Sequence, residues 1–312
     1  MIKEKNFISM VAYMHNEEND IIKFLMTIDG IMKDKFDTYE FVLVNDACKD
    51  NTIKKILEIE DKIHGSIEII NMAWKHGMEL SMLAGVDLAI GDYIYEFDSL
   101  IIDYDVEIVW NMYKKCIEGF DVVSASPKGK SSYSSRLFYK YLNRVSYRKM
   151  QLTTETFRLI SRRCLNRVLN SKERFRYRKA LYNYSGFDTA MIYYRSIDKV
   201  TRKNHMNVGE RVGFAIDILI NFSNIGTRII GMISLIFFII SLLAGIYTLK
   251  SYLTVKSIQP GWTTIMLFLS ISFTGMFFIL ALLSKYMTIL LREVKDRPQY
   301  VYKSIDKMSK NQ

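Results

Sequence analysis

The sequence predicts an α/β fold with a mainly parallel sheet, followed by two helices that span a membrane. Short apolar runs alternate with helical patterns from Phe7 to Ala125, which is typical of a parallel sheet covered by helices. Two uninterrupted apolar stretches, Ile229–Leu249 and Ile265–Leu283, come later. Since about 20 apolar residues in a helix cross a bilayer, they predict a helical hairpin behind a polar domain. The 312 residues leave enough chain before Ile229 for one large core or two small ones.

The alternation of the first part can be followed element by element. Strands are expected at Phe7–Tyr13, Tyr39–Asn45, Ile67–Asn71, Tyr93–Phe97 and Asp121–Ala125, and helices at Glu18–Met32, Thr52–His64, Gly77–Ile90 and Val106–Glu118. The third helix has a small residue at every fourth position, namely Gly77, Ser81, Gly85 and Ala89. We expect this smooth face to lie close against the sheet.

After Ser126 the pattern is weaker. A helix is expected at Glu155–Leu169, and strands are expected at Ala180–Phe187 and Ala190–Ser196. Val212–Ile225 has helical spacing and is either an interfacial helix or an ordinary core helix. Arg136–Lys149 is rich in Arg, Lys and Tyr. A surface that binds nucleic acid and a solvated basic helix are two interpretations of this composition. With a membrane hairpin downstream, anionic headgroups or a lipid phosphate are favoured, and no nucleic-acid partner is expected.

Charge and cysteine usage predict the orientation in the membrane. The net charge is +10, and the chain begins without the apolar segment of a signal peptide. Basic residues lie before the first apolar stretch and after the second, while the connecting loop holds only Lys250 and Lys256. Both termini are therefore expected in the cytoplasm of a bacterium, on the inner face of its plasma membrane. Cys48, Cys116 and Cys164 lack metal-site spacing and are expected to be reduced thiols.

Polar residues follow three of the predicted strands directly. His15-Asn16-Glu17 follows the first strand, Asp46 the second and Asp98 the fourth. Ligands of parallel sheets bind outside the carboxyl ends of the strands. The placement therefore predicts one pocket rather than three unrelated turns. Taken alone, Asp46 with Asp50 could be only a turn and a helix cap, and Asp98 could be only a turn residue.

Several motifs, in order, resemble the family-2 glycosyltransferases with the GT-A fold, specifically the polyprenyl-phosphate branch related to dolichol-phosphate mannose synthase. The matching segments are His15-Asn16-Glu17-Glu18, Val44–Asp50, His76–Tyr93, Phe157-Arg158-Leu159, Pro260-Gly261-Trp262 and Arg292–Tyr300. The resemblance covers nearly the whole chain. It implies a GT-A (nucleotide-diphospho-sugar transferase, Rossmann-like) domain at 1–207, a juxtamembrane helix at 208–228, a transmembrane hairpin at 229–291 and a cytoplasmic tail at 292–312.

The resemblance also implies roles for single residues. His15 would stack on the donor base, and Asp46 would accept a hydrogen bond from it, with Glu17 and Asp50 in the same donor site. Asp98 would hold Mg²⁺ or Mn²⁺, which prefer carboxylate and phosphate oxygens. The family's second metal acid is absent from Asp98-Ser99-Leu100, so Glu96 or Asp103 is expected to supply the second ligand.

Two arginines are further candidates. The resemblance implies that Arg158 and Arg195 contact the phosphate of the donor or of the lipid, for which a guanidinium is suited. A surface position is the alternative for Arg195. Asn45 replaces the first acid of the family's Asp-Asp pair, and the Gly-x-Ser/Thr-Lys-Tyr segment expected near residues 200–210 is not present.

These features predict transfer of a sugar from a nucleotide-sugar donor to a polyprenyl phosphate, undecaprenyl phosphate in bacteria, at the cytoplasmic membrane face. The partners would be donor, lipid acceptor and bilayer, and two thin spans leave room for a homo-oligomer. One alternative is an acceptor sugar on a lipid-linked oligosaccharide. A second is a non-catalytic membrane-anchored scaffold on the same fold.

Overall fold

A computed structural model of the protein describes residues 3–128, 155–170, 177–197, 261–294 and 300–308, together with isolated positions between 137 and 243. The described residues belong to two compact units. The first is drawn from Met1–Arg144, Arg148–Ala215 and Pro298–Gln312, and the second from Val145–Tyr147 and Ile216–Arg297. The first unit contains an eight-stranded mixed sheet and holds all the candidate site residues considered below.

Four parallel strands form the centre of the sheet. They are β1 (Ile8–Met14), β2 (Tyr39–Asn45), β3 (Ser66–Met72) and β4 (Tyr93–Phe97), in the spatial order β4-β1-β2-β3. All seven residues of β1 are buried, as expected for a central strand covered on both faces. The connecting helices are α1 (Ile21–Lys35), α2 (Thr52–Ile59), α3 (Met78–Leu88) and α4 (Glu107–Ile117), with a short 3₁₀ turn at Glu60–Lys62 after α2. The predicted alternation of strand and helix is thus confirmed in this half.

The later elements of the sheet are β5 (Val122–Pro127), β6 (Phe157–Ser161) and β7 (Thr189–Tyr194), with α5 (Arg162–Leu169) and α6 (Arg178–Tyr184) between the last two strands. Strand β6 lies between β4 and β5 and is antiparallel to both. The predicted helix at Glu155–Leu169 is therefore wrong in its first part. The five residues of β6, Phe157–Ser161, are all buried because β6 has a neighbouring strand on each side.

The predicted strand at Ala180–Phe187 is also wrong, because most of it belongs to helix α6. A helix places residues four apart on one face. This geometry brings Arg178 and Tyr182 to the same buried carboxylate, that of Glu96. The strand predicted at Ala190–Ser196 is confirmed as β7 with slightly earlier bounds.

The end of the chain adds an eighth strand that the sequence did not predict. Strand β8 (Tyr302–Met308) pairs with the edge strand β3 in antiparallel orientation. It lies in the segment 292–312, for which a cytoplasmic tail was expected. Five of its seven residues are polar or charged, and its outward side chains are half-exposed or exposed. Such a strand gives little hydrophobic signal, and its backbone pairing covers the edge of β3.

The second unit contains helix α7 (Trp262–Val294), which includes the predicted second apolar stretch Ile265–Leu283. The first stretch, Ile229–Leu249, and the juxtamembrane segment 208–228 lie outside the described residues except for isolated positions. Among the residues that the structure describes, no helix combines the length and the apolar character that crossing a bilayer requires. The membrane hairpin stays a prediction.

Helix α3 packs unusually closely on the parallel strands, as its small residues predicted. A Cβ atom on Gly85 would lie 2.4 Å from Cγ1 of Val11 and 2.6 Å from Cγ2 of Val44. These are shorter than any ordinary carbon–carbon contact, so only glycine fits at this point. The close approach also fixes the start of α3, which lies at the candidate site.

Replacement of Gly85 by alanine should lower the free energy of unfolding by about 1–3 kcal/mol, because the added methyl group overpacks β1 and β2. The matched control is Gly30→Ala in α1, where a Cβ atom would meet nothing within 4 Å. That change should be neutral or stabilise the protein by about 0.5–1 kcal/mol. Urea unfolding of both variants checks the pair, and equal effects would contradict the close packing of α3.

Candidate functional site

Three neighbouring strand ends bring the predicted polar residues to one edge of the sheet. Met14 pairs with Asn45, and Ala12 pairs with Phe97, so β1 ends between β2 and β4. The chain passes from β1 to its neighbour β2 on one side of β1, and it later returns to form β4 on the other side of β1. This is the type of switch point at which α/β sheets bind ligands. His15, Asp46 and Asp98 follow the three strand ends.

The loops after β1 and β2 are bound to each other by hydrogen bonds. The Asn16 N–H donates to Sγ of Cys48 at 3.2 Å, and the Lys49 N–H donates to Oδ1 of Asn16 at 2.8 Å. Asn16 and Ala47 have φ values of 59° and 56°, a left-handed conformation that non-glycine residues rarely adopt. Strained backbone of this kind is often found at functional sites. Here the cross-loop bonds hold both residues in place.

Asp50 stabilises the same two loops and the start of α2. Its carboxylate accepts hydrogen bonds from the N–H groups of Glu18 and Thr52, both at 3.1 Å, while the Glu17 N–H donates to Oγ1 of Thr52 at 2.9 Å. Burial acts to raise the pKa of Asp50, but the hydrogen bonds from Thr52 and Glu18 outweigh it and lower that pKa. These contacts match the capping alternative. The donor-binding roles of Asp50 and Glu17 stay predictions.

Asp46 joins three loops and is fully buried. Its Oδ2 accepts hydrogen bonds from the Tyr13 hydroxyl and the Gly77 N–H, both at 2.9 Å, and its Oδ1 accepts one from the His76 N–H at 2.7 Å. The Asp46 backbone oxygen lies 2.7 Å from Nδ1 of half-buried His15. Burial and the neighbouring Asp46 carboxylate raise the pKa of Tyr13 far above its usual value, so its hydroxyl remains a donor. The predicted bond from a base to Asp46 stays a prediction.

The loop that supplies two of these donors is supported by the end of the chain. The Val301 N–H donates to Nε2 of His76 at 3.2 Å, so Nδ1 carries the ring proton and donates to the Trp74 oxygen at 2.6 Å. The His76 ring stacks on Trp74 with centroids 4.8 Å apart. These contacts give the His76 ring a structural role. They also link strand β8 to the amides that hold Asp46.

Asp98, at the end of β4, is held between two arginines. Its Oδ2 accepts a hydrogen bond from a terminal nitrogen of Arg158, and its Oδ1 accepts one from Arg178, both at 2.8 Å. The side chain of Asp98 is 10% exposed, while those of Arg158 and Arg178 are 0% and 1% exposed. Burial alone would raise the pKa of Asp98, but the positive charges of Arg158 and Arg178 hold it well below its usual range. Asp98 is therefore ionised at neutral pH although its side chain has little contact with solvent.

Three further carboxylates complete this buried cluster. Glu96 Oε2 accepts from Arg158 at 2.8 Å and from Arg178, while its Oε1 accepts from the Tyr182 hydroxyl. Arg178 Nε donates to Oε2 of Glu79, in the first turn of α3, at 3.1 Å. Arg158 Nε lies 3.0 Å from Oε1 of Glu155, in an ion pair whose geometry is not that of a hydrogen bond. The cluster joins β4 and β6 to α3 and α6.

In the structure the guanidinium of Arg158 is fully buried and pairs with Glu96, Asp98 and Glu155. Its predicted contact with the phosphate of the donor or of the lipid stays a prediction. The pKa of Arg158 is raised, since the carboxylates led by Asp98 outweigh the opposing effect of burial. Arg195 follows β7 and is exposed, so its predicted phosphate contact stays a prediction.

The predicted metal ligands do not form a metal site. Both oxygens of Asp98 and both of Glu96 are occupied by the arginines and Tyr182. Asp103 is buried elsewhere, where its carboxylate accepts from Ser196 at 2.9 Å and from Tyr194 at 3.3 Å. Within the part of the chain that the structure describes, no three His, Cys, Asp or Glu side chains could hold a metal ion together. The donor set of Asp98, Glu96 and Asp103 thus does not fit Mg²⁺ or Mn²⁺.

Sequence reasoning missed Arg178, Tyr182 and Glu79. Arg178 and Tyr182 lie in helix α6, most of which was predicted to be a strand. Their spacing of four residues indicates a shared site only once the helix is known. Glu79 is two residues beyond Gly77 on a helix expected only to pack. The Gly-x-Ser/Thr-Lys-Tyr position near residues 200–210 and the basic segment Arg136–Lys149 lie outside the described residues, isolated positions excepted.

Comparison with known proteins finds one matching family and several similar proteins. Residues 9–169 match the family described as Glycosyl transferase family 2. An uncharacterized glycosyltransferase of Synechocystis sp. is 25% identical over 302 residues, which are 94% of each chain. A prophage-derived bactoprenol glucosyl transferase of Shigella flexneri is 26% identical over 306 residues, 95% of this chain and 97% of the relative. A crystal structure of glucosyl-3-phosphoglycerate synthase from Mycobacterium tuberculosis with Mn²⁺, UDP-glucose and phosphoglyceric acid superposes with a TM-score of 0.45 at 13% identity, covering 69% of this chain and 77% of that one.

The buried position of Asp46 predicts a stability effect. Asp46→Asn should lower the free energy of unfolding by about 1–3 kcal/mol, because the new amide NH₂ faces at least one of the three donors that the carboxylate now satisfies. Asp37→Asn, at an exposed position, is the matched control and should change stability little. Denaturant unfolding compares the two, and equal stabilities would contradict the structural role of Asp46.

The ion pairs of Asp98 predict a dependence on pH. Asp98→Asn should be less stable than the wild type at pH 7, by about 3 kcal/mol, because Arg158 and Arg178 each lose one partner charge and the new amide NH₂ faces one of their N–H donors. Because the folded-state pKa of Asp98 is lowered, its contribution is present above the unfolded value of about 3.9 and is lost as pH falls further. The difference between the two proteins should therefore shrink below about pH 4.

The measurement is the free energy of unfolding of wild type and Asp98→Asn across a pH series. Asp61→Asn, an exposed acid in the short 3₁₀ turn, serves as the control and should follow the wild type at every pH. A wild type whose advantage over Asp98→Asn does not change with acidification would contradict the assigned ion pairs.

Proposed function

Because the chain belongs to glycosyl transferase family 2 and is a glycosyltransferase, we propose that it moves a sugar from a nucleotide-sugar donor to a polyprenyl phosphate. The observation that supports a polyprenyl phosphate as the acceptor is the length of the match to the bactoprenol glucosyl transferase of Shigella flexneri. That match extends over 95% of this chain and so includes the region beyond the family domain. A relative that shared only the sugar-nucleotide domain would say nothing about the acceptor.

The edge formed by the ends of β4, β1 and β2 supports a donor site. His15 is half-buried and presents an aromatic ring beside the Asp46 loop, where a nucleotide base could stack. The loops around it are held by internal hydrogen bonds before any ligand arrives. A site that is ordered in advance loses less conformational entropy on binding.

A phosphate acceptor also suits the lack of an assigned general base. A sugar hydroxyl must lose a proton during attack and so needs a base within hydrogen-bond reach. The phosphate oxygen of a polyprenyl phosphate is already anionic near neutral pH. The carboxylates Glu96 and Asp98 are bound to arginines and are unsuited to accept that proton. The cluster is thus compatible with an acceptor that brings its own charge.

We propose further that the reaction takes place at the cytoplasmic face of a bacterial plasma membrane. The support is the sequence itself, since its apolar stretches Ile229–Leu249 and Ile265–Leu283 are flanked by basic residues. A polyprenyl phosphate is a membrane lipid, and an enzyme beside the bilayer would meet it directly.

The proposal is tested by incubating the purified, detergent-solubilised protein with undecaprenyl phosphate and a panel of nucleotide sugars, each with and without Mg²⁺ or Mn²⁺. We expect release of nucleoside diphosphate with one donor, and only when the lipid is present. Separation of the lipid products identifies the acceptor. Label that appears only on added lipid-linked oligosaccharide would replace the polyprenyl phosphate as acceptor, and no release with any donor would overturn the proposal.

A further inference from the structure

The position between Glu79, Glu96 and Asp98 is filled by a single guanidinium, that of Arg178. Its Nε lies 3.1 Å from Glu79, one terminal nitrogen donates to Glu96 and the other lies 2.8 Å from Asp98. Three carboxylates, one on α3 and two at the end of β4, thus converge on one cation. Carboxylate oxygens in this number are the ligands by which proteins hold hard divalent ions.

A second guanidinium, that of Arg158, shares two of these carboxylates. Arg158 reaches Glu96 and Asp98 from strand β6, at 2.8 Å to each. Four carboxylates, those of Glu79, Glu96, Asp98 and Glu155, contact the two arginines, so removal of either arginine would leave buried negative charge uncompensated. Buried carboxylates in such a cluster require a cation of some kind.

The surrounding residues favour a fixed cation over an exchangeable one. Both oxygens of Asp98 are used by the arginines, and Glu96 and Arg158 are completely buried. Leu100, two residues after Asp98, is apolar and buried, so its side chain offers no oxygen to a metal ion. A guanidinium also stays protonated at every pH at which the protein is folded, and it cannot be removed by a chelator.

We propose that Arg178, together with Arg158, is a built-in cation that occupies the position of a divalent metal, so that this chain binds its nucleotide sugar without one. The part that concerns the donor rests on the proposed function. The part that concerns the cation position depends only on the buried cluster and can be tested without any substrate.

The first experiment uses Mn²⁺ alone as the probe. In metal-free buffer the melting temperature of the wild type should not change when Mn²⁺ is added, and electron paramagnetic resonance should show no Mn²⁺ bound at the cluster. Arg178→Ala leaves Glu79, Glu96 and Asp98 around an open space. It should melt several degrees lower than the wild type, recover much of that loss with Mn²⁺ and bind a single ion.

The matched control is Arg163→Ala. Arg163 also pairs with a buried carboxylate, that of Asp121, through two nitrogens at 2.5 Å and 2.6 Å. It contacts no second carboxylate among the described residues. Its removal should therefore lower the melting temperature without any recovery by Mn²⁺. A recovery equal to that of Arg178→Ala would show a general effect of the ion and overturn the proposal.

Two results would overturn the proposal directly. One is saturable Mn²⁺ binding by the wild type that is lost in Asp98→Asn, and the other is a folded Arg178→Ala that does not bind Mn²⁺. If Arg178→Ala does not fold, the wild-type titration decides alone. Donor binding with and without a chelator then tests the second part: equal affinities support it, and a donor that binds only with Mn²⁺ refutes it. A chain that binds no donor would contradict the proposed function instead.

Discussion

The buried ion-pair cluster around Asp98 is the interaction on which this end of the molecule depends. Glu96 and Asp98 come from β4, Arg158 from β6, Glu79 from α3, and Arg178 from α6. Each charged group is tolerated in the interior only because an opposite charge contacts it. The cluster therefore holds α6 and β6 in place on the central sheet. It also helps to shape the edge of the sheet at which Asp98 lies.

A second group of contacts holds the loops on the other side of β1 in place. The carboxylate of Asp46 accepts hydrogen bonds from Tyr13, His76 and Gly77, and cross-loop hydrogen bonds hold Asn16 against Cys48 and Lys49. Because Val301 donates to His76, the strand that closes the sheet at β3 also supports this loop. The candidate donor site is thus built from four segments of the chain, the last of which comes from the end of the sequence.

Asp98 and Arg158 make contacts that the resemblance did not predict. A carboxylate at a strand end and an arginine two strands later in the chain both suggest contacts to a ligand. In the structure Asp98 pairs with Arg158, and the apolar Leu100, two residues after Asp98, is buried. Asn45, in the place of an acid, donates from Nδ2 to Oδ1 of Asn71 at 2.8 Å. A carboxylate at position 45 would lack that donor. The departures from the family motif thus have local structural reasons.

The sequence by itself determined the alternation of strands and helices up to α4, the close packing of α3 at Gly85, and the placement of His15, Asp46 and Asp98 at neighbouring strand ends. Those features follow from local periodicity and from the rule that parallel strands end on one edge. Only the tertiary structure decided that Phe157–Ser161 is a strand, that Arg178 belongs to a helix, and that β8 returns to β3. Local preference is weak in these segments, so the pairing of strands and the pairing of buried charges, both between residues far apart in the chain, determine their conformation.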